Sequence, residues 1–242
     1  TVRRNKGIGR LRTYHISYNQ VNMADNILHF PDFTIVNRVV PKNSFYRHFE
    51  VSSRMKSLFV DNIEQIVWLY KLAPSNLHIT DGKEVHEIAV FLVKQKQATD
   101  CQELLRFIDV QMPRHTLFIL QQGESFRLLV NYKRWKDSNV GTFDVVKSFA
   151  TQWLTAQLLI LRIDDAQSMD MLYESLVRQV ASSQIFSSQQ NLYQAVMETQ
   201  EVEAIKKEME SVKKRETRER QPQKKFALHK EYLRLKELLD NL

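Results

Sequence analysis

The sequence is poor in the residues that build covalent frameworks and phosphate loops. Among 242 residues there is one cysteine, Cys101, so no disulfide forms within the chain and no cysteine-based zinc site can be assembled. That usage fits a reducing, cytoplasmic setting. Only five glycines are present, and none stands in a phosphate-cradling pattern between a strand and a helix. The seven histidines (His15, His29, His48, His78, His86, His115, His229) show no metal-ligand spacing, and no nucleophile elbow is present. The longest apolar run, Ile88 to Val93, is six residues, against roughly 20 for a membrane-crossing helix. The first residues carry no secretory-signal pattern.

What is present is an apolar fraction of 43%, enough for a globular core, with 26% charged residues. The net charge of +7 is unevenly placed. Residues 1–22 hold five basic residues and no acid, residues 198–242 have a net charge of +2, and the middle is neutral. A uniformly basic face, the usual footprint of a nucleic-acid module, is therefore not expected of the core.

The chain reads as three parts. Residues 1–23 are a basic arm without apolar period. Met23-Ala24-Asp25 would make an ordinary protein start, so the arm is expected to be upstream or expression-derived residues, the alternative being an arm that touches phosphates. Residues 24–188 form the core, and 189–242 a helical extension.

The core is organised around Glu84 to Trp135. Ile88, Val90 and Leu92 fall on one side of a strand, and Ala89, Phe91 and Val93 on the other, as in a strand covered on both faces. A helix is expected over Asp100 to Val110 with Leu104, Leu105 and Ile108 inward, ended by Pro113. Strands follow at Thr116 to Leu120 and Ser125 to Lys133, joined by a turn at Gln122-Gly123.

Upstream, Leu58, Phe59, Ile63, Ile66, Val67 and Tyr70 have helical spacing and predict one helix from Met55 to Leu72, capped by Ser52 or Ser53. A short helix is expected near Ser44 to Phe49. Downstream, Phe143 to Trp153 predicts an edge strand, and Ser168 to Ser182 a helix with Met171, Leu172, Leu176 and Val180 inward. The fold class expected is mixed α/β. A central, mostly antiparallel or mixed sheet of four to five strands is flanked by helices, with a C-terminal helical, partly coiled-coil extension.

In that extension Val202, Ile205, Met209 and Val212 form one seam, and Leu228, Tyr232, Leu235, Leu239 and Leu242 another, separated by Pro222. Each spans only about two heptads, fewer than an independent coiled coil needs. The helices are expected to fold back on each other or to dock on a partner or a second copy. Leu228, Tyr232, Leu235 and Leu239 are the partner-binding candidates.

Several stretches carry a family resemblance: FVDNIEQIVWLYKLAPSNLHI (59–79), EIAVFLVKQK (87–96), FIDVQMP (107–113), FIL (118–120), NYKRW (131–135) and the C-terminal RERQPQKKFALHKEYLRLKELLDNL. Together, in this order, they resemble the bacterial family called Domain of Unknown Function 4391. Members of that family tend to be encoded beside helicase-like ATPases and DNA methyltransferases, in restriction-modification or phage-defence clusters. The resemblance implies a role in such a system, with one of those neighbours as protein partner, and implies no reaction.

The candidate chemistry is sparse. A restriction-endonuclease-like nuclease would hold Mg²⁺ with a carboxylate pair and a lysine on adjacent strands. The residues available for it are Glu64, Glu87, Lys94 and Lys96, but the carboxylate–residue–lysine signature is absent and Glu87 and Lys94 lie seven apart. Asp109 is expected either to contact backbone donors at its helix end or to orient Lys133 or Arg134 across the sheet. Lys71, Lys133, Arg134 and Trp135 are the nucleic-acid candidates, because aromatics with interleaved cations stack bases and neutralise phosphates. The commoner role of such groups is core packing with snorkelling lysines.

The function expected is an accessory, non-ATPase subunit acting by protein binding, with DNA as a further ligand. It is expected to need no cofactor, Mg²⁺ entering only under the alternative of a diverged metal-dependent nuclease.

A chain beginning at Met23 is expected to melt within about 5 °C of the full chain, a shift on the order of 1 kcal/mol. A larger drop in a calorimetric scan makes the arm part of the fold.

Overall fold

The computed structural model describes residues 26–44, 51–97, 100–136, 143–187 and 189–242. The whole basic arm and, Ser44 apart, the short helix expected near residues 44–49 lie outside the described residues.

A single mixed sheet forms the centre. Its strands are β1 (Ile35–Val40), β2 (Ile63–Leu72), β3 (Ile88–Gln95), β4 (His115–Gln122), β5 (Ser125–Trp135) and β6 (Phe143–Ala150), adjacent in chain order. A two-residue strand, β7 (Leu154–Thr155), pairs with the start of β5. The sheet is thus larger than the four to five strands expected. Neighbours are antiparallel except β3 and β4, which run parallel. Parallel neighbours need a crossover, and a helix supplies it. The helices are α1 (Ser53–Asn62), α2 (Gln102–Val110), α3 (Met169–Ala181), α4 (Leu192–Arg218) and α5 (Pro222–Asp240), with α2 the crossover.

β3 is covered on both faces, as its sequence predicts. Ala89, Phe91 and Val93 join Leu104, Leu105 and Ile108 of α2 and Phe59 of α1 in one cluster. Ile88 and Val90, with the half-buried Leu92, face the other, where α3 supplies Leu172, Leu176 and Val180. Residues 159–163 alternate in the same way: Leu159, Leu161 and Ile163 are buried, while Leu158 and Ile160 are exposed. Met171 is a correction. Expected inward, it is 51% exposed, and Met169 and Tyr173 take the inward positions.

The larger correction concerns Met55 to Leu72. The helix ends at Asn62, and Ile63–Leu72 is strand β2. Ser52 caps the helix as expected, its Oγ accepting from the Met55 N–H at 3.2 Å. The apparent helical period has a physical origin. β2 is irregular against β3 between Ile63 and Gln65 and between Trp68 and Tyr70. Each bulge inserts a residue and resets the two-residue alternation. The buried positions 63, 66, 67, 69, 70 and 72 then imitate helical spacing.

The β4–β5 turn is Gly123-Glu124, with Gln122 paired to Ser125. Gly123 has φ +55°, which a glycine adopts without steric cost. The sheet edges are protected. β1 shifts register between Ile35 and Arg38, around Asn37 at φ +44°. At β6, side-chain donors occupy edge carbonyls: Arg106 on Val145 O, Gln200 on Val146 O and Gln184 on Ala150 O. Among the described residues, no helix is long and apolar enough to cross a membrane.

The extension is a helical hairpin. Leu192 and Val196 at the start of α4 still pack in the sheet's core cluster. α4 stays against β6 as far as Gln200, on the Val146 carbonyl, and Glu203, paired with Lys147; the chain then reverses at residues 219–221, and Pro222 opens α5 at its first turn, where its missing N–H costs nothing. Ile205, Val212 and Leu235 are buried against Met209, Leu228, Tyr232 and Leu239. The two predicted seams therefore close on each other.

Phe91→Ala is expected to cost about 3–5 kcal/mol in urea unfolding, the range for deleting a buried phenylalanine ring. A near-neutral result would show that β3 is not the strand packed on both faces.

Candidate functional site

The polar centre of the core is built from α2, β5 and β6. Asp109, in the last turn of α2, is completely buried, and so is the side chain of Lys133 on β5. Lys133 Nζ donates to Asp109 Oδ1 at 2.6 Å, to the Asp109 carbonyl at 2.7 Å and to the Met112 carbonyl at 3.4 Å. Asn131 Nδ2 donates to Asp109 Oδ2 at 2.9 Å, and Ser148 Oγ donates to Asn131 Oδ1 at 2.7 Å. Burial pushes the Asp109 carboxyl up and the Lys133 ammonium down, each opposed by the other's charge. The pair has no net charge whether the proton sits on nitrogen or on oxygen.

From the opposite face Tyr173 of α3 reaches the same strand. Its hydroxyl donates to the Asn131 carbonyl at 3.0 Å and accepts from the Lys133 N–H at 3.2 Å. His115, at the start of β4, packs edge-on to Tyr173 at 4.3 Å and to Phe143 at 5.0 Å. Burial, helped by the Lys133 charge, lowers its pKa to about 3, so the imidazole is neutral at physiological pH.

Above this layer lies a cavity of about 160 Å³. One wall is the loop at residues 81–85, fixed by Asp170 of α3. The Asp170 carboxylate accepts the backbone N–H groups of Lys83 (2.6 Å), Glu84 (3.1 Å) and Val85 (2.9 Å). A Cβ at Gly82 would meet Asp170 Oδ1 and the Val85 carbonyl at 2.4 Å, so this close approach requires glycine. Tyr132 and Glu174 line the other side, and burial pushes both side chains' pKa values up. A cavity near 150 Å³ holds a benzene-sized group, and ligand pockets for larger molecules run to several hundred. This one is too small for a nucleotide.

The residues singled out in the sequence are dispersed. Glu64 is exposed in the first β2 bulge. Glu87 precedes β3 and is held by Lys71 at 3.1 Å and Arg114 at 2.5 Å. Lys94 is at the far end of β3, roughly 20 Å from Glu87 at strand rise. Lys96 donates to the Val60 carbonyl at 2.8 Å and so caps the end of α1. Glu64, Lys94 and Lys96 share one end of the β2–β3 pair, where Gln65 is paired with Lys94, and Glu87 stands at the other end, so the structure does not bring the four together. Among the described residues, no group of three or more His, Cys, Asp or Glu side chains converges as a metal site.

The nucleic-acid candidates are likewise engaged. Lys133 is a correction: it is buried on Asp109 and presents nothing to a phosphate. Arg134 forks onto Glu84 (2.5 and 3.2 Å) and lies over the Tyr193 ring. Trp135 stacks on Phe143 at 4.3 Å and donates to the Glu84 carbonyl at 3.0 Å. Lys71 is the Glu87 partner.

The partner-binding candidates Leu228, Tyr232, Leu235 and Leu239 pack against α4 inside the chain, with Leu235 only 3% exposed. What the seam analysis missed is the opposite face of α5. Phe226 and Leu233 stand there one heptad apart, 71% and 50% exposed. Their i, i+7 spacing was visible in the sequence but was overshadowed by the longer seam.

Replacing Lys133 alone by methionine is expected to cost about 3–5 kcal/mol, because it strands a buried carboxylate. Asp109→Leu combined with Lys133→Met is expected to cost less than Lys133→Met alone. Urea melts of both variants check this, and an equal or larger loss for the double variant would sink the tether.

No curated protein and no solved structure matches the chain. A family model, Domain of unknown function (DUF4391), matches residues 28–242. That span takes in the whole sheet and the helical hairpin, and the chain therefore belongs to the DUF4391 family.

Proposed function

We propose that the chain is an accessory, non-ATPase subunit of a bacterial restriction-modification or phage-defence complex, and that its helical hairpin holds a partner protein. The observation that carries this reading is the outer face of α5. A helix whose own seam is already filled still presents Phe226 and Leu233 to solvent, one heptad apart. Large apolar groups on a helix face are the anchors by which helices dock. At 1.5 Å per residue α4 continues about 20 Å past Glu203, which pairs with Lys147 of β6. The charged side chains of the core support the same reading, because Glu87 is engaged by Lys71 and Arg114 and stands at the opposite end of β3 from Lys94. The partner proposed is a helicase-like ATPase or DNA methyltransferase of the kind that the family resemblance implies.

Phe226→Ser with Leu233→Ser is expected to weaken capture of that partner at least tenfold in a pull-down, without lowering the melting temperature. Leu235→Asp, by contrast, opens the hairpin and lowers helix content in circular dichroism. Undiminished capture by the double serine variant would move the docking surface elsewhere.

A further inference from the structure

The tip of the hairpin carries a concentration of one charge that the fold does not need. Between Lys213 and Lys225 the chain has seven basic residues and two acids, a net charge of +5. Both acids are engaged locally. Glu216 accepts from Lys213 at 2.9 Å and meets His229 at 3.1 Å, and Glu219 Oε1 accepts the Gln221 N–H at 2.8 Å. Lys214 reaches back to Glu210 at 2.7 Å. Arg215, Arg218, Arg220, Lys224 and Lys225 remain, all exposed, with no carboxylate at ion-pair distance among the described residues.

The reversal of the chain brings these cations together from two helices. Arg215 and Arg218 of α4 and Lys224 of α5 line one open groove of about 490 Å³, together with Glu219 and Glu231, while Arg220 and Lys225 stand exposed beside the reversal. Like charges this dense repel one another and oppose closure of the hairpin. Solubility alone does not call for them: residues 198–212 on the same helix mix five acids with two bases.

We propose that the hairpin tip binds the phosphate backbone of nucleic acid through Arg215, Arg218, Arg220, Lys224 and Lys225, without reading sequence. Three of the five are arginines, whose planar fork takes two phosphate oxygens at once. The tip has no rigid pocket for a single base, so contact is with the regularly spaced charge of the backbone. This binding is separate from docking on Phe226 and Leu233, and each is measured without the other.

The test is fluorescence anisotropy of the full chain with a labelled 20-base-pair DNA duplex across a salt series. Five phosphate contacts predict that log K falls against log salt with a slope of about −4 to −5. The variant Arg218→Ala/Arg220→Ala/Lys224→Ala is expected to reduce that slope by about 3 and to weaken binding at low salt at least tenfold, with helix content and melting unchanged. Arg218→Lys/Arg220→Lys, which keeps the charge, is expected to bind within a few-fold of the parent. A chain beginning at Met23 is expected to keep most of the binding, which separates the tip from the basic arm. Comparable binding of a 20-nucleotide single strand supports backbone recognition, and a preference for one form names the form held.

Salt-independent or absent binding overturns the proposal. So does parent-like binding by the triple alanine variant, or loss of binding when the arm alone is removed. Binding to phosphatidylserine vesicles that the duplex does not compete away would overturn it in favour of a membrane surface.

Discussion

Asp109 and Lys133 tie the crossover helix to the middle of the sheet. The parallel pair β3–β4 exists only because α2 carries the chain back across one face. The far end of that helix is held by an ammonium that donates to one carboxylate and two carbonyls. An ion in this position is costly to bury and is tolerated because its bonds are completed inside the protein. Asn131 and Ser148 extend the network to β6, and Tyr173 holds the same stretch of β5 from the other face. Three layers of the fold therefore meet at one polar point.

That arrangement explains why the core offers little chemistry to solvent. Its most perturbed groups, Asp109, Lys133 and His115, are shifted because they are buried, and they lie under the packing of β5 and α3. Perturbed groups often mark active sites, but structural ion pairs perturb pKa values too. Here every polar atom of the lysine is turned inward. The exposed cations around it, Arg134, Arg114 and Lys71, are matched to Glu84 and Glu87. Arg215, Arg218, Arg220, Lys224 and Lys225, together with the exposed Phe226 and Leu233, lie on the hairpin.

The local sequence was enough where burial is two-sided or periodic. The six-residue run of β3, the short amphipathic α2, the glycine at the β4–β5 turn and the paired heptads of the hairpin could all be read directly. Each depends on contacts repeated every two or every three to four residues. The serine cap of α1 was legible for the same local reason. β2 was not, because two bulges shifted its alternation into a helical rhythm, and a bulge is set by the neighbouring strand. Met171 was misplaced because it belongs to a helix whose inward stripe is decided by the sheet beneath it.

For the candidate sites, the division is sharper. Charge and the absence of metal-ligand spacing were properties of the sequence by itself, since they depend on residue type and on spacing along the chain, whereas for Asp109 the sequence left backbone donors, Lys133 and Arg134 open and the fold selected Lys133. Nor did the sequence decide which basic residue was available. Lys133, Arg134, Lys71 and Lys96 look alike as letters, yet one is sealed in the core, two are paired and one caps a helix. Likewise, the reversal that sets α4 beside α5 puts Arg215, Arg218 and Lys224, separated along the chain, on one groove. Tertiary structure alone decided these outcomes, because an ionic group's role follows from the dielectric and the partners around it, and folding brings both from distant parts of the chain.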